Sequence, residues 1–387
     1  MDAKAAAHER IDAARDALIA LSRRIHATPE LGFEEERAAA WTAEMLDAAG
    51  FRVEPGVCDL PTAFRARAGS GPLHVAICAE YDCLPDIGHA CGHNVIAASA
   101  VGAGLALARV ADDVGLTVTV LGTPAEENGG GKILLHERGG FAGVHAAMMV
   151  HPAPLDMAEP ATLAFQQFDV HYHGKAAHAS AFPEQGINAA DAITVAQTAI
   201  GLLRQHIRPT DRVHGIVLRG GEAPNVVPAH TKVRYVVRAK TVAQLASVRE
   251  KVMRCFEAGA VATGARLELR NEQLAYAEVT HDRELAELYR RNAIALGRQL
   301  PDMGPMAERF AGSTDMGNVS QSIPSIHPMI GLNSFPAVNH QPEFAAHCAT
   351  PIADQAVVDG AVAMAWTAID AASDAAVSAR LRARTSS

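Results

Sequence analysis

The sequence predicts an α/β protein built from two units, one inserted into the other. Three observations carry this reading. Over residues 1–160, short apolar runs alternate with helical stretches, the pattern of a largely parallel sheet covered by helices. Between 161 and 276 the order becomes β-α-β-β-α-β, that of a small ferredoxin-like sandwich. Near residue 281 the first pattern resumes and continues to the end. The boundaries read from the sequence are 1–160 with 277–387 for one unit and 161–276 for the insert. At roughly 100–200 residues per domain, 387 residues suit two units.

Each element has a local reason. Ile11, Ala14, Leu18, Leu21 and Ile25 recur at helical spacing within 8–27. "TPELGFEEE" interrupts that period, and a second helix, about 36–49, stops at Gly50, a natural C-cap. Residues 73–82, 116–124 and 145–152 are apolar runs suited to buried strands. An Ala-rich helix lies between the first two, at 94–110, and "GGKILLHERG" opens another helix after the second. In the insert, 162–173 alternates apolar and polar, as a half-buried strand does. A helix at 186–206, strands at 213–220 and 231–239, a helix at 242–259 and a strand at 265–271 complete it. The Ala/Ser/Arg-rich tail, 371–387, reads as a final helix that frays.

Composition narrows the function classes. A net charge of -9, with Lys and Arg scattered, gives no electrostatic footprint for nucleic acid. No run approaches 18 consecutive apolar residues, so no membrane span is expected. The charged N-terminal segment lacks a signal-peptide core, and six sparse cysteines (58, 78, 83, 91, 255 and 348) read as reduced thiols. Both point to the cytoplasm.

Polar residues gather just past three strand ends, where open parallel α/β sheets place their functional groups. "EYDCLPDIGHACGHN", "TPAEENGG" and "HP" together offer Cys91, His93, Glu126, Glu127 and His151. Thiolate, imidazole and carboxylate form a donor set for zinc or a similar ion. Cys91 and His93 diverge on a helix but converge in a turn, which Gly92 permits. The competing reading makes Cys91 a small buried hydrophobe and His93 an ordinary helix start. Glu126 and Glu127 are either solvated charges or residues beside a turn, where strand-like alternation sends one to a metal and the other to water. His151 is a ligand or a satisfied structural histidine. Asp82 either orients a ligand histidine or simply makes a turn. A further alternative makes Cys91 a nucleophile with His93 as its base.

"RRIHATPELGFEE", "AEYDCLPDIGHACGHN", "GTPAEENGGGK", "MVHP", "GKAAHAS", "GGEAPNVVP" and "GSTDMGNVS" occur in that order. With them the chain resembles the M20 metallopeptidase family, in its aminoacylase-like amidohydrolase branch. That branch includes hippurate, auxin-conjugate and aminobenzoyl-glutamate hydrolases. The resemblance covers nearly the whole chain. It implies a mixed-sheet, zinc-peptidase-like catalytic domain with an inserted ferredoxin-like dimerisation (lid) domain. It also implies two divalent ions per subunit, zinc first, with manganese, cobalt or nickel as substitutes. Cys91, His93, Glu127, His151 and His340 match the ligands, with His347 the rival for the last place. Glu126 matches the general base that activates the attacking water, and Asp82 the aspartate of the first motif. His178 matches an oxyanion-stabilising histidine that acts across the interface of a homodimer. Asn225 matches a substrate-polarising residue, and Arg238, with Arg234 as competitor, meets a substrate carboxylate. The chain departs from the wider family at Glu80, where peptidases have His, at Cys91, where they have a bridging Asp, and at Asn94, where many branch members have Asp.

The implied activity is metal-dependent hydrolysis of the amide bond of N-acyl or N-aroyl amino acids. The alternatives are a dipeptidase acting on β-alanyl-type dipeptides and a metal-bound binding protein without activity.

Overall fold

The computed structural model describes residues 2–127, 129–301, 304 and 311–383. It divides into two compact units, with Thr162–Glu278 inserted into the remainder of the chain. Up to the insertion the elements are α1 (Ala3–His26), α2 (Glu36–Asp47), β1 (Arg52–Pro55), β2 (Phe64–Gly69), β3 (Leu73–Ala79), α3 (His93–Val114), β4 (Leu116–Gly122), α4 (Gly131–Glu137), β5 (Ala146–Met148) and β6 (His151–Ala153). The insert comprises β7 (Ala164–His173), α5 (Ala189–Leu203), β8 (Arg212–Arg219), β9 (His230–Ala239), α6 (Val242–Thr263) and β10 (Arg266–Arg270). The chain then forms α7 (Arg283–Ala295), α8 (Met316–Ser320), β11 (Ser325–Ile326), β12 (Met329–Gly331), α9 (Pro342–His347), α10 (Pro351–Ser373) and α11 (Ala375–Ala383).

The larger unit is organised by a six-stranded sheet in the order β1-β2-β4-β3-β5-β11. β3 runs parallel to β4 and β5, and β11 parallel to β5, while β1 and β2 are antiparallel additions at one edge. The sheet is therefore mixed. β4 is buried along its whole length and β3 nearly so, as strands covered on both faces must be. Ile11, Leu18, Leu21 and Ile25 form the buried stripe of α1, each supplying about 1.5–3 kcal/mol of burial. α3 and α10 are long and apolar enough to cross a membrane. Yet 89% and 72% of their most apolar windows are buried inside the protein, so they serve as core helices.

Three details depart from the sequence reading. β1 and β2 escaped it because "RVEP" and "FRARAG" carry charges and make an edge ribbon. The single strand read at 145–152 is two: β5 joins the main sheet, and β6 pairs with β12 in a separate two-stranded ribbon. The tail is not one helix. Asp374 leaves the helical conformation, and its side chain accepts from the backbone N–H groups of Ala376 and Val377, capping α11. Residues 384–387 of the expected tail helix lie outside the described residues.

The insert is a four-stranded antiparallel sheet in the order β10-β7-β9-β8. α5 and α6 supply apolar side chains to its core, with Ile193, Leu245, Val252 and Phe256 packed on Phe168, Tyr235 and Val237. Strict alternation along β9 puts Val233, Tyr235 and Val237 in that core and Lys232, Arg234 and Arg238 on the opposite face.

Candidate metal centre

The polar loops at the strand ends of the larger unit meet. Cys91 lies in the turn before α3, Gly92 is the N-cap and His93 opens the helix. Gly92 has φ +78°, and a Cβ there would come within 2.8 Å of Pro152, so only glycine fits. Ala125, at φ +56°, turns the chain after β4, and its carbonyl accepts from the N–H groups of Gly129 and Gly130 at 2.9 Å. Its own N–H donates to buried Glu35 at 2.7 Å. Burial pushes the Glu35 carboxyl up to about 7. Because of this turn, Glu126 and Glu127 do not point opposite ways as strand alternation suggested. Each places a carboxylate oxygen 3.9 Å from His93 Nε2.

Two candidate ligand triplets share one atom, Cys91 Sγ. Cys91, His93 and His151 form one, and Cys91, Glu127 and His340 the other, with donor atoms in each within 4.8 Å of one another. Cys91 Sγ is 3.5 Å from His151 Nε2 and 3.4 Å from His340 Nε2. A sulfur and a nitrogen bound to one tetrahedral zinc-class ion lie about 3.5 Å apart, given bonds of ~2.3 and ~2.0–2.1 Å. His340 Nε2 is 3.6 Å from Glu127 Oε2, and its backbone N–H donates to Ala90 O at 2.9 Å, tying the late loop to the Cys91 turn. His347 ends α9 and joins no ligand group among the described residues. His89 is buried but likewise stands outside these groups.

The supporting bonds set the histidine tautomers. His93 Nδ1–H donates to Asp82 Oδ1 at 2.8 Å, and His151 Nδ1–H donates to Pro152 O at 2.8 Å, so both Nε2 lone pairs face the cluster. Asp82 Oδ2 also accepts from Glu127 N at 3.0 Å, so one carboxylate places a candidate ligand on each triplet. Burial opposes the charge on Asp82, but the adjacent His93 and these hydrogen bonds hold its carboxyl below the usual range. Asn94 turns away and donates to Ser22 Oγ and Cys348 O, both at 2.9 Å. These two bonds satisfy the NH₂ group of the buried amide at this position.

Glu80, Lys132, Asp315 and His327 were not assigned from the sequence. Lys132 Nζ is fully buried between Glu80 Oε1 and Asp315 Oδ1, 2.5 Å from each. The other oxygen of Glu80 lies 3.3 Å from His93 Nε2, and Glu80, His93 and Glu126 form a third donor group. Burial, then Glu80 and Glu127, push the Glu126 carboxyl well above its ordinary range. His327 is buried with its ring 5.4 Å from that of His151. Lys132 and Asp315 stood within quoted motifs, "GGGK" and "GSTDMG", but 183 residues separate them, and nothing local announces their pairing.

A metal fits this set on two grounds. Thiolate, imidazole and carboxylate converge at ligand spacing, and among the described residues Glu80 Oε2, His93 Nε2 and Glu127 Oε1 are buried without a hydrogen-bond partner. Buried polar atoms are ordinarily satisfied, and cations held by the two Cys91 triplets would satisfy those of His93 and Glu127.

In the insert, the backbone segment bearing His178 pairs with that bearing Val226, and Ala179 N donates to Asn225 O at 3.0 Å. His178 and Asn225, both exposed, therefore stand side by side. Ser180 N and Ala181 N donate to His178 Nδ1 at 3.3 Å, which leaves Nε2 carrying the proton, ready to donate. Arg234 is held by both oxygens of Asp169, at 2.7 and 3.0 Å. Arg238 lies over the Phe165 ring instead, 4.9 Å from its centroid.

The fold and the donor cluster define a metal-dependent hydrolase of amide bonds. Residues 164–263 match the peptidase dimerisation domain of the M20 family. A Mus musculus protein described as Xaa-Arg dipeptidase is 40% identical over 382 residues, spanning 95% of this chain and 88% of its own. A p-aminobenzoyl-glutamate hydrolase chain of Escherichia coli is 34% identical over 281 residues, 67% of this chain and 58% of its own. The fold resembles a Bacillus subtilis dinuclear metal-binding M20 peptidase, with TM-score 0.70, 23% identity, and coverage of 93% of this chain and 98% of that one. The chain belongs to the M20 peptidase family.

Proposed function

We propose that this protein hydrolyses the amide bond of N-acyl or N-aroyl amino acids at a two-metal centre held by Cys91, His93, Glu127, His151 and His340. The observation that carries the reading is the single sulfur common to two ligand triplets. Zinc is the metal that thiolate and imidazole donors favour, with manganese, cobalt or nickel as substitutes. When bound, the metal supplies a Lewis acid that polarises the carbonyl and acidifies water. Glu126, beside the cluster, takes the proton from the attacking water and delivers it to the leaving amine. Asp82 keeps His93 and Glu127 in position. His178 donates its Nε2–H to the developing oxyanion, and Asn225 polarises the carbonyl beside it. Arg238 receives the substrate carboxylate; Arg234, its rival, pairs with Asp169.

The partner is a second copy of the chain, whose active site His178 serves across the interface. Supporting this, β8 is an edge strand that exposes Ile216, Val217 and Leu218, whereas the opposite edge, β10, is charged. Localisation in the cytoplasm accords with six free thiols. A dipeptidase reading stands second, favoured by the 40% identical relative named for that activity.

Glu126→Gln tests the mechanism. Turnover should fall by about 10²–10⁴-fold, the usual contribution of a positioned base, with metal content unchanged. A near-normal rate would overturn it. Wild-type protein assayed on N-acyl amino acids and on dipeptides, with zinc, manganese and cobalt in turn, separates the two substrate readings.

A further inference from the structure

We propose that His171, His173 and His230, on the sheet of the inserted unit, form a binding site for a transition-metal ion of the zinc, nickel or cobalt class. None of the three belongs to the centre described above. His171 and His173 are two apart on β7 and share a face, and His230 on β9 lies directly opposite His173 in the antiparallel register. The rings stack in a nearly parallel group, with centroids 4.9 to 6.2 Å apart. One nitrogen from each comes within 4.8 Å of the other two.

The closest pair is His171 Nδ1 and His230 Nε2, at 2.9 Å. Two imidazole nitrogens on one tetrahedral ion lie about 3.3 Å apart, for bonds of ~2.0–2.1 Å. Admitting an ion therefore needs a few tenths of an ångström of opening. Glu268 on β10 completes the group, its Oε2 2.7 Å from His173 Nε2. A carboxylate behind a histidine fixes its tautomer and turns the other nitrogen toward a metal. The surrounding cations do not flood the site with unmatched charge: Arg270 and Arg266 pair with Glu268, and Lys232 with Asp169. All-imidazole donors select zinc-class ions over magnesium or calcium.

One contact works against uptake. Arg219 Nη1 donates to His230 Nδ1 at 2.9 Å, which holds the proton of that ring on Nε2, where the ion would bind. The Arg219 side chain is 42% exposed and pairs with exposed Glu222, so it can swing away from His230. Arg219→Met should therefore tighten binding, and weaker binding in that variant would count against the arrangement.

The main experiment uses full-length protein carrying Cys91→Ser, stripped with chelator and titrated with Ni²⁺ or Co²⁺. Adding His230→Gln should remove one ion per chain or weaken its binding at least about tenfold. Equal stoichiometry and affinity with and without His230→Gln would overturn the proposal. A second measurement needs no variant. Zn²⁺ should slow diethyl pyrocarbonate modification of His173 and His230 in the wild-type protein, followed by peptide mass spectrometry. Equal modification with and without Zn²⁺ would also overturn it.

Discussion

Asp82→Asn isolates the contribution of a residue placed behind two candidate ligands, His93 and Glu127. The carboxylate is 1% exposed and uses both oxygens, one for His93 Nδ1–H and one for Glu127 N–H. An amide has one acceptor and one NH₂ group, so one of these donors must face another donor. If NH₂ faces His93, the ring accepts at Nδ1 and carries its proton on Nε2, which removes the lone pair aimed at the cluster. If NH₂ faces Glu127 N–H, the turn carrying both glutamates is pushed outward. Either arrangement spoils a ligand, and removal of a carboxylate behind a metal histidine typically weakens metal binding about 10–100-fold. At about 1.4 kcal/mol per decade, that is ~1.4–2.8 kcal/mol. The assay is chelator competition for Zn²⁺ on the full-length variant and wild type, with metal-free thermal unfolding in parallel. The variant also sheds a buried charge, so the metal-free melting temperature should shift less than the holo-protein's. Zinc affinity within twofold of wild type would refute the reasoning.

Chelator should inactivate the wild type and Zn²⁺ or Mn²⁺ should restore it, as measured by amide hydrolysis. If Cys91 were instead a nucleophile, chelator would leave the rate untouched while alkylation abolished it. Gly92→Ala forces a Cβ to within 2.8 Å of Pro152 at φ +78°, and the left-handed conformation alone costs about 1–3 kcal/mol. Urea unfolding should show at least that loss. Asp169 is held well below the usual carboxylate range: burial opposes its charge, but Arg234, Asn271 and Lys232 overcome it. A depressed folded-state pKa adds stability above the unfolded value of ~3.9 and loses it as pH falls toward the folded value. The wild-type advantage over Asp169→Asn should therefore be constant above about pH 5 and narrow only in stronger acid, as read by melting temperature.

The legible parts of this protein were those with local signatures. The apolar period of α1 and the alternation along β7 and β9 can each be read in a short window, and the β-α-β-β-α-β order follows from stringing such windows together. Cys91, His93 and the two glutamates could be picked out because strand ends concentrate chemistry. Their actual geometry could not. Whether Glu126 and Glu127 diverge or converge depends on a left-handed Ala125, which Glu35 supports from 90 residues away. The pairing of Arg234 with Asp169, 65 residues distant, has no local signature either. Lys132 with Glu80 and Asp315 is a charge balance made wholly by tertiary folding, and β1 and β2 owe their strand state to pairing more than to composition.

In the proposed centre, a sulfur common to both candidate triplets would couple the fates of the two metal positions. Damage to a histidine would weaken one position and leave its neighbour partly intact. Oxidation of Cys91 withdraws a donor from both at once. Peroxide should therefore silence molecules outright instead of leaving a half-active population, and both ions should leave together. The centre is, in effect, a fuse with one wire.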